Sequence, residues 1–334
     1  MKIAHILPAS VTYPLHAHNA RHTWALQLAQ LQANHGHEVT IYCNAKSQVP
    51  SIEVRGIPHS TGLKKTDNIA TLTLAFENEH DIYHSHFDSL HYEVGHLTRK
   101  PVVFTQHWWL LEQTIALAKA YDRDNIWAVP PTQYMRDYDT SLGIQTKGHI
   151  YHGIDLSFFH PTPSAKSGRL LSVGRISPEK NVETSIAVAK KAGIGMDIIG
   201  KITPKNQDYW KTLEPHIDGT QIAYLGAKSQ LELIDYYTKA QAVLFPSSAQ
   251  ESFGLVAIEA QACGTPIIMA RGGSRGELVH EQQTGFLCDT LDDYVRAAHQ
   301  SAQLDPVECR TFAQQFDIHT MAANYHQLYR SLIG

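Results

Sequence analysis

Four cysteines are few for 334 residues, and Cys43, Cys263, Cys288 and Cys309 form neither a C-x-x-C pair nor a disulfide-like cluster. This usage excludes a disulfide-stapled scaffold and points to a reducing compartment, the cytoplasm, with the inner face of the membrane as a second location. No apolar run approaches the roughly 20 residues that a membrane-spanning helix needs. Only Lys2 precedes the first apolar run, "IAHILPAS", which is too short for a signal-peptide core with a cleavage site and reads as a strand. An excess of one charge is missing too: the formal net charge of −4 gives no general pull toward nucleic acid. Neither half has a G-x-G-x-x-G turn after its first strand, which argues against a nicotinamide dehydrogenase. There is no fixed-period repeat and no low-complexity segment.

What is present is alternation. Short apolar β-type runs take turns with longer helical patterns, the signature of parallel sheets with crossover helices. "KIAHILP" is followed by a helical stretch in which Trp24, Leu28 and Leu31 recur at helical spacing and Gly36 makes a stop. "EVTIYCN", "DIYHSHF", "PVVFTQH", "NIWAVP" and "GHIYHG" are the further strand candidates of the first half. Asp155 to Arg169, rich in Pro, Ser and Gly, reads as a linker. The alternation then restarts with "LLSVGR", "GMDIIGK", "QIAYLG", "AVLFPSS", "PIIMA" and "GFLCD", interleaved with helices such as Val182–Ala192. The tail from Pro306 to Leu332 has helical intervals. Two open α/β sheets in tandem predict a ligand cleft lined by strand carboxyl ends.

One stretch places charge where a core helix gains nothing from it. In "SSAQESFGLVAIEAQACGTPII" a strand end leads through Glu251 and Ser252 to a helix that begins at about Phe253-Gly254, ahead of Leu255. Its free backbone N–H groups and positive dipole end suit an anion. Glu259 follows about a turn later, with Val256, Ala262, Leu255 and Cys263 as its helical neighbours, so its own helix offers it no cation. It faces water, or an outside partner such as a pair of sugar hydroxyls satisfies it. Upstream, "LLSVGRISPEKN" puts Gly174 and Arg175 at a strand end and Lys180 just before a helix, two cations able to clamp a diphosphate.

With these motifs in this order, the chain resembles the retaining glycosyltransferases of family 4 over nearly its whole length. The most specific match is the E-x7-E block, Glu251 and Glu259. "VGRISPEKN", "VVFTQH" and "HGIDLSFFHP" are similar to family segments as well. The resemblance implies a GT-B fold: a Rossmann-like acceptor domain (1–155), a linker (156–168), a Rossmann-like donor domain (169–310) and a C-terminal helix (311–334) crossing back to the first domain. It implies that Glu259 binds ribose hydroxyls, that Glu251 meets the donor sugar, and that Arg175 and Lys180 take the diphosphate. Gly174, Gly200, Lys201, Tyr224, Leu225, Ser252, Phe253, Gly254 and Leu255 would line the donor site. His107 would stand beside the reacting sugar. His18, Asn19, Trp108 and Trp109 fall on the acceptor side; for the two tryptophans, stacking on a sugar, contact with lipid and core packing stay open.

The implied reaction moves a hexose from a uridine or guanosine diphosphate sugar to a hydroxyl of a glycan, lipid-linked or small-molecule acceptor, with retention. No cofactor and no protein nucleophile is implied. The alternatives are a nucleotide-sugar epimerase of the same fold and a non-catalytic nucleotide-sugar-binding relative. No metal is expected either. "DRD" (Asp122–Asp124) and "DYD" (Asp137–Asp139) spell D-x-D without following a suitable strand. Among 21 histidines the pairs His16/His18, His35/His37 and His84/His86 lack a third ligand at a regular spacing. The chain departs from the family pattern in three places. "YPLHAHNARH" lacks the usual glycine pair, His152 replaces an asparagine, and Arg275-Gly276 stands where a proline precedes the glutamate.

Overall fold

A computed structural model describes residues 1–14, 20–57, 59–121, 123–247 and 251–334. The chain forms two compact units, one of residues 1–151 with 319–334 and one of residues 152–318.

The first unit holds β1 (Lys2–Ile6), α1 (Ala20–Asn34), β2 (Glu38–Tyr42), β3 (Glu53–Arg55) and α2 (Lys64–Phe76). It continues with β4 (Ile82–Ser85), α3 (Leu90–Val94), β5 (Val102–Thr105), α4 (Glu112–Tyr121), β6 (Ile126–Val129) and α5 (Gln133–Ser141). All six strands run parallel in the order β3-β2-β1-β4-β5-β6. Helices cover a parallel sheet on both faces, so its central strands need apolar residues in unbroken runs. Accordingly every residue of β4 and β5 is buried.

The second unit repeats the plan with β7 (Leu170–Val173), α6 (Val182–Ala192), β8 (Met196–Ile199), α7 (Gln207–Leu213), β9 (Ile222–Tyr224) and α8 (Gln230–Lys239). Then come β10 (Ala242–Phe245), α9 (Leu255–Ala262), β11 (Ile267–Ala270), β12 (Gly285–Cys288), α10 (Leu291–Gln300) and α11 (Pro306–Ala313). Its order is β12-β11-β10-β7-β8-β9, again all parallel. Local signals set the helix ends. Ser229 with Glu232 and Thr290 with Asp293 form capping boxes at the starts of α8 and α10, and Gly193 closes α6 at φ 68°.

Three sequence expectations change. "GHIYHG" is not a strand: Ile150 donates its N–H to the Pro130 carbonyl, and no ladder forms there. The sixth strand is the short, half-polar β3. The tail is two helices, α11 and α12 (Ile318–Ile333), separated by a tight turn over Gln314–Phe316 and by Asp317. From His319 on, α12 belongs to the first unit and buries Tyr325 and Tyr329 completely.

Candidate functional site

In both sheets the strand order reverses next to the first strand of the unit, between β1 and β4 and between β7 and β10. At such a switch point the connections leave to opposite faces and open a crevice at the carboxyl ends. The residues singled out for donor binding gather at the carboxyl ends of β7, β8, β9 and β10.

Gly174 follows β7 at φ 151° and donates to the Ile199 carbonyl at 3.0 Å. Gly200 follows β8 so closely beside it that a Cβ would lie 1.7 Å from the Gly174 carbonyl oxygen, which leaves room for no other residue. Tyr224 ends β9 and donates its hydroxyl to the Gly200 carbonyl at 2.8 Å. Leu225 pairs its N–H with the Ile198 carbonyl, and the Lys201 carbonyl accepts from Ile176. These contacts make a rigid backbone floor. Arg175 and Lys201 project from it exposed, and neither has an ion pair among the described residues.

Lys180 closes the short turn Pro178–Lys180 and binds Glu251 across the switch point. Both side chains are largely shielded from water, at 23% and 11% exposure. The ammonium also lies 5.1 Å from the centre of the Phe245 ring. Ser247 joins the pair: its hydroxyl lies 2.8 Å from the Glu179 carbonyl and 3.0 Å from Glu251 Oε1. Its one proton is thus shared between two acceptors, one on each side of the crevice.

Beyond Glu251, Ser252 and Phe253 are buried, with the Phe253 ring edge-on to His152 at 5.2 Å and Phe316 at 5.7 Å. Gly254 takes φ 113°, a value strained for any side chain, and Leu255 opens α9. Glu259 is 9% exposed and accepts a hydrogen bond from the Tyr237 hydroxyl at 2.8 Å. Burial pushes its carboxyl up to about 7, the Tyr237 bond pulling the other way. The sequence left water or an outside partner for Glu259 and only a substrate partner for Glu251. Instead the protein gives each a partner of its own, Tyr237 on α8 for the one, Lys180 with Ser247 for the other. Tyr237 and Ser247 carried no sequence signal, because each pairing joins separate elements.

In the first unit His107 follows β5, half-buried, with Trp24 edge-on at 5.1 Å and the His86 ring at 6.0 Å. Trp108 is 54% exposed. Trp109 instead packs edge-on to Tyr134 and Tyr138 of α5 at 5.8 and 5.0 Å. His18 and Asn19 lie outside the described residues, as does Asp122 of "DRD"; "DYD" falls on α5.

The third histidine that spacing failed to supply comes from β1: His5 joins His84 and His86 in one buried group. Their nitrogens are nevertheless engaged in a directed chain. Gln32 Oε1 faces His5 Nε2 at 2.7 Å, so that nitrogen donates, Nδ1 accepts, and His86 donates to it from Nε2 at 3.1 Å. Gln32 Nε2 donates to the Tyr329 hydroxyl, which donates to His84 Nδ1 at 2.6 Å. His84 Nε2 then donates to Thr105, and Thr105 to Tyr325. Burial holds all three rings neutral, His5 down to about 4 and the other two well below their usual value. Five of the six ring nitrogens are spoken for, so this is a polar core that seats α12.

Two doubly wound parallel sheets, with the Lys180–Glu251 pair at the second one's switch point, define a GT-B-type α/β protein. The chain belongs to the family 4 glycosyltransferases: "Glycosyltransferase Family 4" matches residues 22–158 and "Glycosyl transferases group 1" residues 155–304. It is similar to the D-inositol 3-phosphate glycosyltransferase of Mycolicibacterium smegmatis, 28% identical over 80% of this chain and 75% of that protein. The enzyme of that name from Mycobacteroides abscessus is 32% identical over 42% and 35%. Among solved structures, sucrose-phosphate synthase from Thermosynechococcus elongatus superposes with TM-score 0.79 at 21% identity, covering 99% and 98% of the two chains. Anabaena HepE in complex with UDP gives 0.79 at 19% identity, covering 99% and 100%. No helix among the described residues is long and apolar enough to cross a membrane.

Proposed function

We propose that this glycosyltransferase moves a hexose from a nucleoside-diphosphate sugar to an acceptor hydroxyl with retained anomeric configuration and without a metal. The observation that carries the reading is the Lys180–Glu251 ion pair across the β7–β10 switch point, with Glu259 on α9, the helix that follows β10. Lys180 and the exposed Arg175 take the diphosphate, together with the N–H groups that open α9 at Gly254 and Leu255. Glu259 accepts from the ribose hydroxyls, and Glu251 from the donor sugar. The Gly200–Tyr224 floor borders the base. As the glycosidic bond breaks, negative charge grows on the leaving diphosphate, where these preorganised donors strengthen their hold. On the acceptor side the reading assigns His107 beside the reacting sugar, with the exposed Trp108 as a stacking surface. Trp109, packed on α5, supports that surface.

Uridine diphosphate donors come first, since HepE is solved with UDP and UDP-glucose. D-inositol 3-phosphate is the first acceptor to try, from the names of the relatives. The test incubates the chain with UDP- and GDP-hexoses and this acceptor, with and without EDTA, and reads the product's anomeric configuration by NMR. Retention that survives EDTA is the expected result. Conversion of a donor with no acceptor present would make the chain an epimerase instead, and an inverted product would overturn the stereochemistry.

A further inference from the structure

Arg275 stands where the sequence departs from the family's proline, and it is only 8% exposed. Its Nη1 donates to the Ser247 carbonyl at 2.7 Å and its Nε to the Gly272 carbonyl at 3.0 Å. No carboxylate forms an ion pair with it among the described residues. Burying a guanidinium on two neutral carbonyls is costly unless holding them achieves something. The carbonyl it holds belongs to Ser247, whose hydroxyl links the Pro178–Lys180 turn, through the Glu179 carbonyl, to Glu251.

We propose that Arg275 is a positioning residue of the donor site: by clamping the Ser247 carbonyl it fixes the hydroxyl that holds the Lys180 and Glu251 segments in register. The inference rests on the donor-site reading above. It also answers a question of charge. A diphosphate at Lys180 draws that cation away from Glu251, in a place shielded from water. Arg275 binds the same serine whose hydroxyl meets Glu251, so its charge stays beside that contact when Lys180 turns to the ligand. A proline at this position offers neither the clamp nor the charge.

The test is UDP affinity, measured by titration calorimetry on the intact chain, with melting temperatures recorded alongside. Arg275→Met is expected to weaken UDP about tenfold or more at temperatures where it stays folded. Arg275→Lys keeps the charge but loses the fork, and recovers only part of the loss. Ser247→Ala keeps Arg275 and removes the hydroxyl, and is expected to weaken UDP as well. If Arg275→Met melts earlier but binds UDP within about twofold of wild type, Arg275 serves the fold alone and the proposal is overturned. Should Arg275→Met not fold, Ser247→Ala decides, and unchanged affinity there overturns it equally. A wild-type chain that binds no nucleoside diphosphate defeats the donor-site reading itself, before any variant is compared.

Discussion

The ammonium of Lys180 sits on the carboxylate of Glu251, so a ligand phosphate has to share that cation with the carboxylate or displace it. Coming from opposite sides of the β7–β10 crevice, the two charges satisfy each other; on the proposed reading a donor supplies a diphosphate for one and hydroxyls for the other. Lys180→Ala is expected to cost about 10²–10³ in transfer rate while the fold persists. Circular dichroism alongside a transfer assay checks this, and full activity in the variant would count against the assignment.

On the proposed reading, Glu259 makes donor binding depend on pH. With its carboxyl raised to about 7 by burial, folding favours the neutral acid. That contribution is complete below the unfolded value near 4.5 and is lost as pH rises through 7. Ribose hydroxyls need the carboxylate, so UDP-glucose affinity should rise about tenfold from pH 6 to pH 8. Tyr237→Phe removes the one bond that lowers the carboxyl and should move this rise to higher pH. Calorimetric titrations at several pH values would show it. A flat profile in the wild type would remove Glu259 from the ribose.

The histidine chain beneath α12 works with the opposite sign. His5, His84 and His86 are neutral when folded, with values pushed below the unfolded 6.5. Their contribution is intact above pH 6.5 and is lost as the solution is acidified toward 4. His5 alone accounts for a loss on the order of 3 kcal/mol. Tyr329→Phe, which strands Gln32 Nε2 and His84 Nδ1, should cost about 1–3 kcal/mol at neutral pH. Urea unfolding from pH 7.5 to 4.5 measures both effects.

Gly200→Ala tests the backbone floor. The added methyl meets the Gly174 carbonyl oxygen, which belongs to a neighbouring strand end and has nowhere to retreat. A loss of roughly 3 kcal/mol or more is expected, together with weakened nucleotide binding. A variant as stable as wild type would mean the two strand ends are further apart.

Much of this was legible in the chain because central parallel strands are unbroken apolar runs, as in "AVLF" and "VVFT". The strand β3 was not, being three residues of "EVR" at a sheet edge, with two charges among them. "GHIYHG" misled because Ile150 and Tyr151 look like a short β-type run where the backbone bonds elsewhere. The cations and carboxylates of the proposed donor site stood out in the sequence through their order and spacing, and Lys180 and Glu251 do meet. Their partners did not: Tyr237 meets Glu259 from another helix, and His5 joins His84 and His86 only because β1 and β4 are neighbours. Such pairings follow from strand order, which residue patterns along the chain do not encode.

The central claim is a nucleoside-diphosphate cradle at the β7–β10 switch point, and titrating the isotope-labelled intact chain with UDP while following backbone amide NMR shifts tests it most directly. The account predicts saturable changes concentrated at Gly174, Gly200, Leu225 and the segment from Glu251 to Glu259, all weakened by Lys180→Ala. Changes confined to the first unit, or a titration untouched by that substitution, would contradict it.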